Sequence, residues 1–278
     1  MSDLKGRTFL VTGANTGIGK ETVRGLAGRG ARVILAGRSA EKTEAAIREI
    51  ADETGNTELD FVALDLGDLD SVRRAAVDIL TENEPIHVLI NNAGLAGKRG
   101  LTKSGFEMAF GTNHVGPFLF TELLREHIAE SGPGRIVSVA SVAHFDAKEG
   151  IDWKGVRRPT VTRTGFAEYG VSKLANVLHA QELGRRLKGT GVTTYALHPG
   201  AVASDVWREV PFGLRHVMKL FMKSAVEGAQ TSLYCATSPE VSEHTGRYYD
   251  DCRERKASKV ATPELAAELW ERSVAWVS

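Results

Sequence analysis

The sequence predicts an α/β fold, a doubly wound parallel sheet with helices on both faces. Three observations carry that expectation. Short apolar, β-branched runs alternate with helix-length segments along the chain, the pattern of βαβ units joined by right-handed crossovers. The first such run leads through three closely spaced glycines into a helical pattern. No linker, repeat or low-complexity tract divides the 278 residues, a length that one α/β domain can bury around a single core.

Taken in order, residues 8–12 form the first strand and Lys20 to Arg29 the first helix. Strand-like runs follow at 31–36, 58–64, 86–90, 134–140, 192–198 and, more weakly, 246–249. The segments 40–53, 68–82, 103–130 and 167–188 read as helices. Ser39 and Asp68 stand where helix N-caps belong, and Thr262 caps a final helix whose first turn takes Pro263. Two stretches break the alternation, 142–166 and 201–223. Both follow the carboxyl ends of strands, where ligands bind in open α/β sheets.

Bulk properties remove several function classes. Lysine plus arginine and aspartate plus glutamate balance at 35 each, so no overall field favours nucleic acid or an acidic membrane. Met1 to Arg7 is too polar for a signal peptide, and no apolar run approaches the ~18 residues that span a bilayer. Only Cys235 and Cys252 are present, and neither they nor the eight histidines show metal-ligand spacing. The expectation is a cytoplasmic protein with free thiols, no metal and at most a peripheral membrane contact.

The stretch from Thr12 to Lys20, TGANTGIGK, joins the first strand to the first helix. Glycine lacks a Cβ, so backbone N–H groups can approach a pyrophosphate that lies at the positive end of a helix dipole. Gly13, Asn15, Thr16, Gly17, Ile18 and Gly19 are therefore candidate nucleotide-binding residues, with a plain structural turn as the other reading. An NAD site usually places an acid at the end of the second strand to take the ribose 2′-OH. Here that strand runs into Gly37-Arg38-Ser39. A guanidinium pairs bidentately with a 2′-phosphate, so Arg38, helped by Ser39, reads as NADP(H) over NAD(H). Asp65, ending the third strand, is either an acceptor for the adenine amino group or a loop cap, and Leu66 is a further cofactor-binding candidate.

Four further segments fall at or beyond strand ends: Asn91-Asn92-Ala93-Gly94, Ser138 to Ser141, Tyr169 to Lys173, and His198-Pro199-Gly200. On a helix, residues four apart share a face, which sets the Lys173 ammonium beside the Tyr169 phenol. A unit charge about 5 Å away at an effective dielectric of about 20 is worth roughly 3 kcal/mol, enough to bring a phenol from about 10 to below about 8. Ser141 then serves as donor to a substrate oxygen, in the manner of an oxyanion hole.

In their order and spacing these segments resemble the short-chain dehydrogenase/reductase family, from about Lys5 to the end of the chain. The glycine loop, Asn91-Asn92-Ala93-Gly94, Asn113, Ser141, Tyr169, Lys173 and Pro199-Gly200 carry the likeness. The wording of the loop, of Tyr169 to Leu178, and of Ser238-Pro239-Glu240-Val241 with Gly246 to Cys252 looks like the retinol dehydrogenase branch. The resemblance implies a Rossmann-type fold and hydride transfer between nicotinamide and a carbonyl carbon, with Tyr169 as proton donor or acceptor. It further implies that Lys173 lowers the tyrosine's pKa and binds ribose hydroxyls, that Ser141 holds the substrate oxygen, and that Asn113 anchors a water leading protons to Lys173. Asn91, Ala93 and Gly94 would line the cofactor, and Val202 and Ser204 would meet the nicotinamide amide. The hydrophobic anchor that begins membrane-bound members of the branch is not among these residues. On this reading, 5–200 form the cofactor-binding and catalytic core, 201–223 a substrate lid and 224–278 the completion of one domain. A homodimer or homotetramer is compatible with the family, which commonly pairs the helices near 103–130 and 167–188 between subunits.

Between Ser204 and Ser224, Leu214, Val217, Met218, Phe221 and Met222 recur at helical spacing, backed by Arg215, Lys219 and Lys223. This is read as a lid whose apolar face, with Trp207 and Phe212, covers a lipophilic carbonyl or alcohol, with a membrane-surface helix or a dimer contact as rivals. Two other functions share some of the motifs. A sugar-nucleotide epimerase or dehydratase shares Tyr-x-x-x-Lys but usually carries a different glycine spacing and a longer carboxyl-terminal region; a redox sensor would hold NADP(H) without turnover.

Overall fold

Every residue of β1 (Thr8–Thr12) is buried, and its side chains alternate between two cores, Phe9 and Val11 facing one and Leu10 the other. A strand covered on both faces is apolar throughout, which explains its continuous run in the sequence. The computed structural model, which describes residues 3–201 and 223–278, repeats the arrangement in β2 (Arg32–Gly37): Val33 and Leu35 join the first core, Ile34 and Ala36 the second.

Among the described residues, one sheet holds these strands together with β3 (Leu59–Ala63), β4 (Val88–Asn91), β5 (Gly134–Val139), β6 (Val192–His198), β7 (Arg247–Asp250) and β8 (Arg253–Glu254). The order across it is β3-β2-β1-β4-β5-β6-β7-β8. All neighbours run parallel except β7 and β8. The α-helices among the described residues are α1 (Gly17–Ala27), α2 (Ala40–Thr54), α3 (Leu69–Glu82), α4 (Met108–Phe110), α5 (Gly116–Glu130), α6 (Phe166–Arg186), α7 (Ala225–Thr237) and α8 (Pro263–Val277). One face of the sheet carries α1, α2 and α7 through Val23, Leu26, Ile50 and Ala236; the other carries α3, α5, α6 and α8 through Val72, Leu124, Leu174 and Leu269. The winding reverses between β1 and β4, opening a crevice above their carboxyl ends.

Helix starts follow local chemistry. Ser39, Asp68 and Thr262 each accept a backbone N–H of the following turn, from Lys42, Asp70 and Leu265. The sequence reading passed over α7, although Ser224 and Glu227 form a reciprocal capping box at its start. The single helix expected over 103–130 is corrected. Its first residues form a tight turn closed by a bridge between Leu101 and Glu107. Glu107 then caps α4, and a π turn over Gly111–Val115 leads into α5. Only glycine fits where α5 starts: a Cβ on Gly116 would stand 2.2 Å from the Leu66 carbonyl oxygen.

Candidate active site

The crevice above β1 and β4 is a cleft of about 850 Å³. Its floor is the glycine loop. Gly13 takes φ +64°, and a Cβ there would come within 2.8 Å of the Ala93 backbone. At Gly19 a Cβ would meet the Gly13 carbonyl oxygen at 2.3 Å. The loop thus closes only on glycine. Asn92 pins it from the side, its Nδ2 donating to the carbonyls of Thr12 at 2.8 Å and Gly13 at 3.2 Å, while Thr12 Oγ1 accepts from the N–H groups of Asn92 and Ala93, both at 3.0 Å. Beyond the loop α1 starts at Gly17 with no side chain capping it and no acid in its first turn, leaving an electropositive helix end turned to the cleft. A glycine cradle, an uncapped helix end and a cleft of this volume fit a dinucleotide.

At the far end, β5 and α6 bring the reacting groups together. β5 ends in Val139, and Ser141 follows in extended conformation, its Oγ accepting from the Ala143 N–H at 3.2 Å. His144 fixes this turn. The Ser258 N–H donates to His144 Nε2 at 3.1 Å, so the ring proton is on Nδ1 and donates to the Ser141 carbonyl at 2.6 Å. Lys173 Nζ donates to the Val139 carbonyl at 2.7 Å and lies 5.5 Å from the centre of the Tyr169 ring. Asn113, in the π turn, receives the Leu95 N–H at 2.9 Å and donates to the Leu95 carbonyl and to Ser172 Oγ, at 3.0 and 2.9 Å. Ser172 in turn donates to the Tyr169 carbonyl at 2.7 Å.

Burial governs the electrostatics. It pushes the Tyr169 phenol up to about 12, against a hydrogen bond with Ser141 that pulls it down, and pushes Lys173 down to about 7. The lowered phenol expected from the lysine is therefore corrected: loss of water penalises the charged forms of both groups. In the protein alone the proton sits on Tyr169. Burial also holds His198, on the cleft wall, down to about 4 and lowers His144.

Most sequence-predicted residues line this one cleft. Gly13, Asn15, Thr16, Gly17, Ile18 and Gly19 form the floor. Arg38, Ser39, Asp65 and Leu66 stand at one end; Ala93, Gly94, Ser141, Tyr169, Lys173, Pro199 and Gly200 stand at the other. Asp65 also caps its own loop, accepting the Gly67 N–H at 2.9 Å. Asn91 is corrected: it ends β4 facing α5, donates to Thr121 Oγ1 at 3.0 Å and does not line the cleft. Asn113 is buried next to the cleft, with both its amide hydrogens taken by Leu95 and Ser172, and a Cβ on Gly94 would lie 3.3 Å from both Asn113 Oδ1 and Lys173 Nζ. Val202, Ser204, Trp207, Phe212, Met218 and Phe221, with the proposed lid, lie outside the described residues.

Sequence reasoning gave Asn92, Ser172 and Lys42 no role of their own, and read His144 as a structural residue near the site, as its two backbone contacts make it. The doubled asparagine at a strand end signals that one of the pair turns toward the loop, but alternation does not say which. Lys42 lines the cleft beside Arg38, one turn into α2. The parts played by Ser172 and His144 had no sequence signal, because their partners are 59 and 114 residues away.

The chain has known relatives. Residues 7–152 match the short chain dehydrogenase family. Human retinol dehydrogenase 11 is 45% identical over 97% of this chain and 85% of its own length. Human dehydrogenase/reductase SDR family member 13 is 44% identical over 98% of the chain and 74% of its own length. Among solved structures, an uncharacterised protein from Mycobacterium paratuberculosis superposes with a TM-score of 0.80 at 31% identity, covering 100% of this chain and 95% of that one. Fold, sequence and relatives agree that the chain belongs to the short-chain dehydrogenase family, oxidoreductases that use nicotinamide nucleotides.

Proposed function

We propose that the protein is an NADP(H)-dependent oxidoreductase that interconverts a lipophilic aldehyde or ketone and its alcohol. The observation that carries this reading is the meeting of Ser141, Tyr169 and Lys173 in one cleft with the glycine cradle. The nucleotide, when bound, supplies or takes the hydride. The rest is done by the chain's own residues. Ser141 orients the substrate oxygen through its hydroxyl. Tyr169, protonated because it is buried, gives its proton to that oxygen in the reductive direction. Lys173 holds positive charge near the phenol and donates to ribose hydroxyls. Asn113 and Ser172 hold the first turns of α6 against the 94–95 turn, so the phenol's position is set by buried hydrogen bonds rather than by a loop.

The preference for a 2′-phosphate rests on Arg38 and Lys42, two cations at the adenosine end of the cleft, where the strand offers no acid. A lipophilic substrate is supported by the apolar side chains at the opposite end, Leu95, Ala96, Val142 and Phe166, and by the retinol dehydrogenases among the relatives. The test is turnover of all-trans-retinal and of aliphatic, aromatic and steroidal carbonyls with NADPH and with NADH. Reduction faster with NADPH, and better for longer apolar carbonyls, is expected. Tight nucleotide binding with no turnover on any carbonyl would point instead to a redox sensor.

A further inference from the structure

Ser141 is held by a residue that takes no part in the chemistry. His144, fully buried in the turn after β5, donates from Nδ1 to the Ser141 carbonyl at 2.6 Å, and its backbone N–H reaches the same oxygen at 3.2 Å. The other ring nitrogen accepts the Ser258 N–H at 3.1 Å. A neutral imidazole has one donor and one acceptor, and both are used here. The ring cannot turn over without losing two buried hydrogen bonds. Tyr248 of β7 meets it edge to face with ring centres 4.8 Å apart, and Phe145 lies against it at 4.0 Å.

The acceptor side of the ring leads out to the carboxyl-terminal segment. Ser258 belongs to the stretch after β8, which is fastened to the sheet where the Arg255 N–H donates to the Tyr248 carbonyl at 2.8 Å, and is closed by the Ala261 N–H on the Ser258 carbonyl at 2.9 Å. The donor side leads into the site. Ser141 Oγ accepts the Ala143 N–H and hydrogen-bonds the Tyr169 phenol, so a shift of the Ser141 backbone moves the hydroxyl that meets both the phenol and the substrate oxygen. Val142 and Ala143 line the cleft, whereas His144 stands behind them and does not.

We propose that His144 is a positioning residue for the reaction: its Nδ1 donor sets the Ser141 hydroxyl, and its Nε2 acceptor anchors that donor to the carboxyl-terminal segment. The inference rests on the role given to Ser141 above and deepens it. A misplacement of about 1 Å at a reacting centre costs up to about a hundredfold in rate. The effect therefore falls on kcat and leaves nucleotide binding alone.

Substitution separates the two uses of the ring. An asparagine amide nitrogen takes the place of Nδ1, and a glutamine amide reaches the place of Nε2. His144→Gln should keep the contact with Ser258 yet lower kcat by about tenfold or more, whereas His144→Asn should restore kcat to within about threefold of wild type and melt at a lower temperature. NADPH Kd within about threefold of wild type shows that each variant is folded. In a Ser141→Ala background, His144→Gln should cost less than about twofold, because the hydroxyl it places is gone. Equal losses in the two variants, no loss in His144→Gln, or full additivity with Ser141→Ala overturns the proposal; turnover unchanged in Ser141→Ala overturns it together with the role given to that serine. A second readout needs no turnover. The NMR signal of the Tyr169 ζ carbon in labelled protein, identified by its absence from Tyr169→Phe, should move in His144→Gln as the contact with Ser141 is lost and stay in place in His144→Asn. That pattern in a chain that reduces no carbonyl would sustain the hold of His144 on Ser141 while ending the reductase reading.

Discussion

Lys173 follows Tyr169 by one turn of α6, with its Nζ 5.5 Å from the tyrosine ring centre and 2.7 Å from the Val139 carbonyl oxygen. The lysine is thus tied to the end of β5 while facing the phenol. Its burial makes it titratable near neutrality, at about 7. The ammonium is present below that pH and lost above it. We expect kcat/KM for NADPH to be level on the acid side and to fall roughly tenfold per pH unit above about pH 7. A profile level to about pH 9 would show that the charge at Lys173 is not what the nucleotide meets.

Replacing Arg38 by Asp removes the guanidinium from the adenosine end and installs the acid that a free 2′-OH prefers. The ratio of kcat/KM for NADPH over NADH should drop by about tenfold or more. An unchanged ratio would remove Arg38 from the phosphate site and leave Lys42 as the nearer cation.

Asn92→Ala deletes two hydrogen bonds that pin the glycine loop. At about 1 kcal/mol each, plus two carbonyls left unpaired, the loss should be about 2–3 kcal/mol of stability, with NADPH Kd raised at least about tenfold. Calorimetric Kd values within about twofold of wild type would mean that the Thr12 hydroxyl alone holds the loop.

Buried histidines make the fold acid-sensitive. His114 and His179 touch edge to face between α5, α6 and α8. Burial holds His179 at about 4 and His114 well below its ordinary value. An unfolded histidine takes its proton at about 6.5, so stability is full above that pH and falls as pH drops toward 4, by at most about 1.4 kcal/mol per pH unit for each ring. Urea unfolding at several pH values should show that slope, reduced in His179→Gln. Equal slopes would place the sensitivity elsewhere.

How much of this was legible depends on the range of the interaction. Strands such as β1 and β2 were readable because both faces are buried and the residues are apolar throughout. Ser39, Asp68 and Thr262 were readable because a cap acts within one turn. The glycine cradle was visible because its spacing is local, whereas the hand that closes it, Asn92, sits 80 residues from Thr12. Asn91 was misplaced because spacing cannot tell which of two adjacent asparagines faces the crevice. The π turn carrying Asn113 interrupts a helix that periodicity alone would continue. The phenol's acidity was misjudged because sequence supplies the neighbouring charge but not the burial that opposes it.

The central claim is that Tyr169 transfers the proton in a nicotinamide-dependent carbonyl reduction. It is tested most directly by measuring NADPH oxidation on the best carbonyl substrate, and NADPH Kd by fluorescence, for the wild type and Tyr169→Phe. The account predicts that the variant binds NADPH within about threefold of wild type while turnover falls by about a hundredfold or more. Turnover within about threefold of wild type in Tyr169→Phe would contradict it.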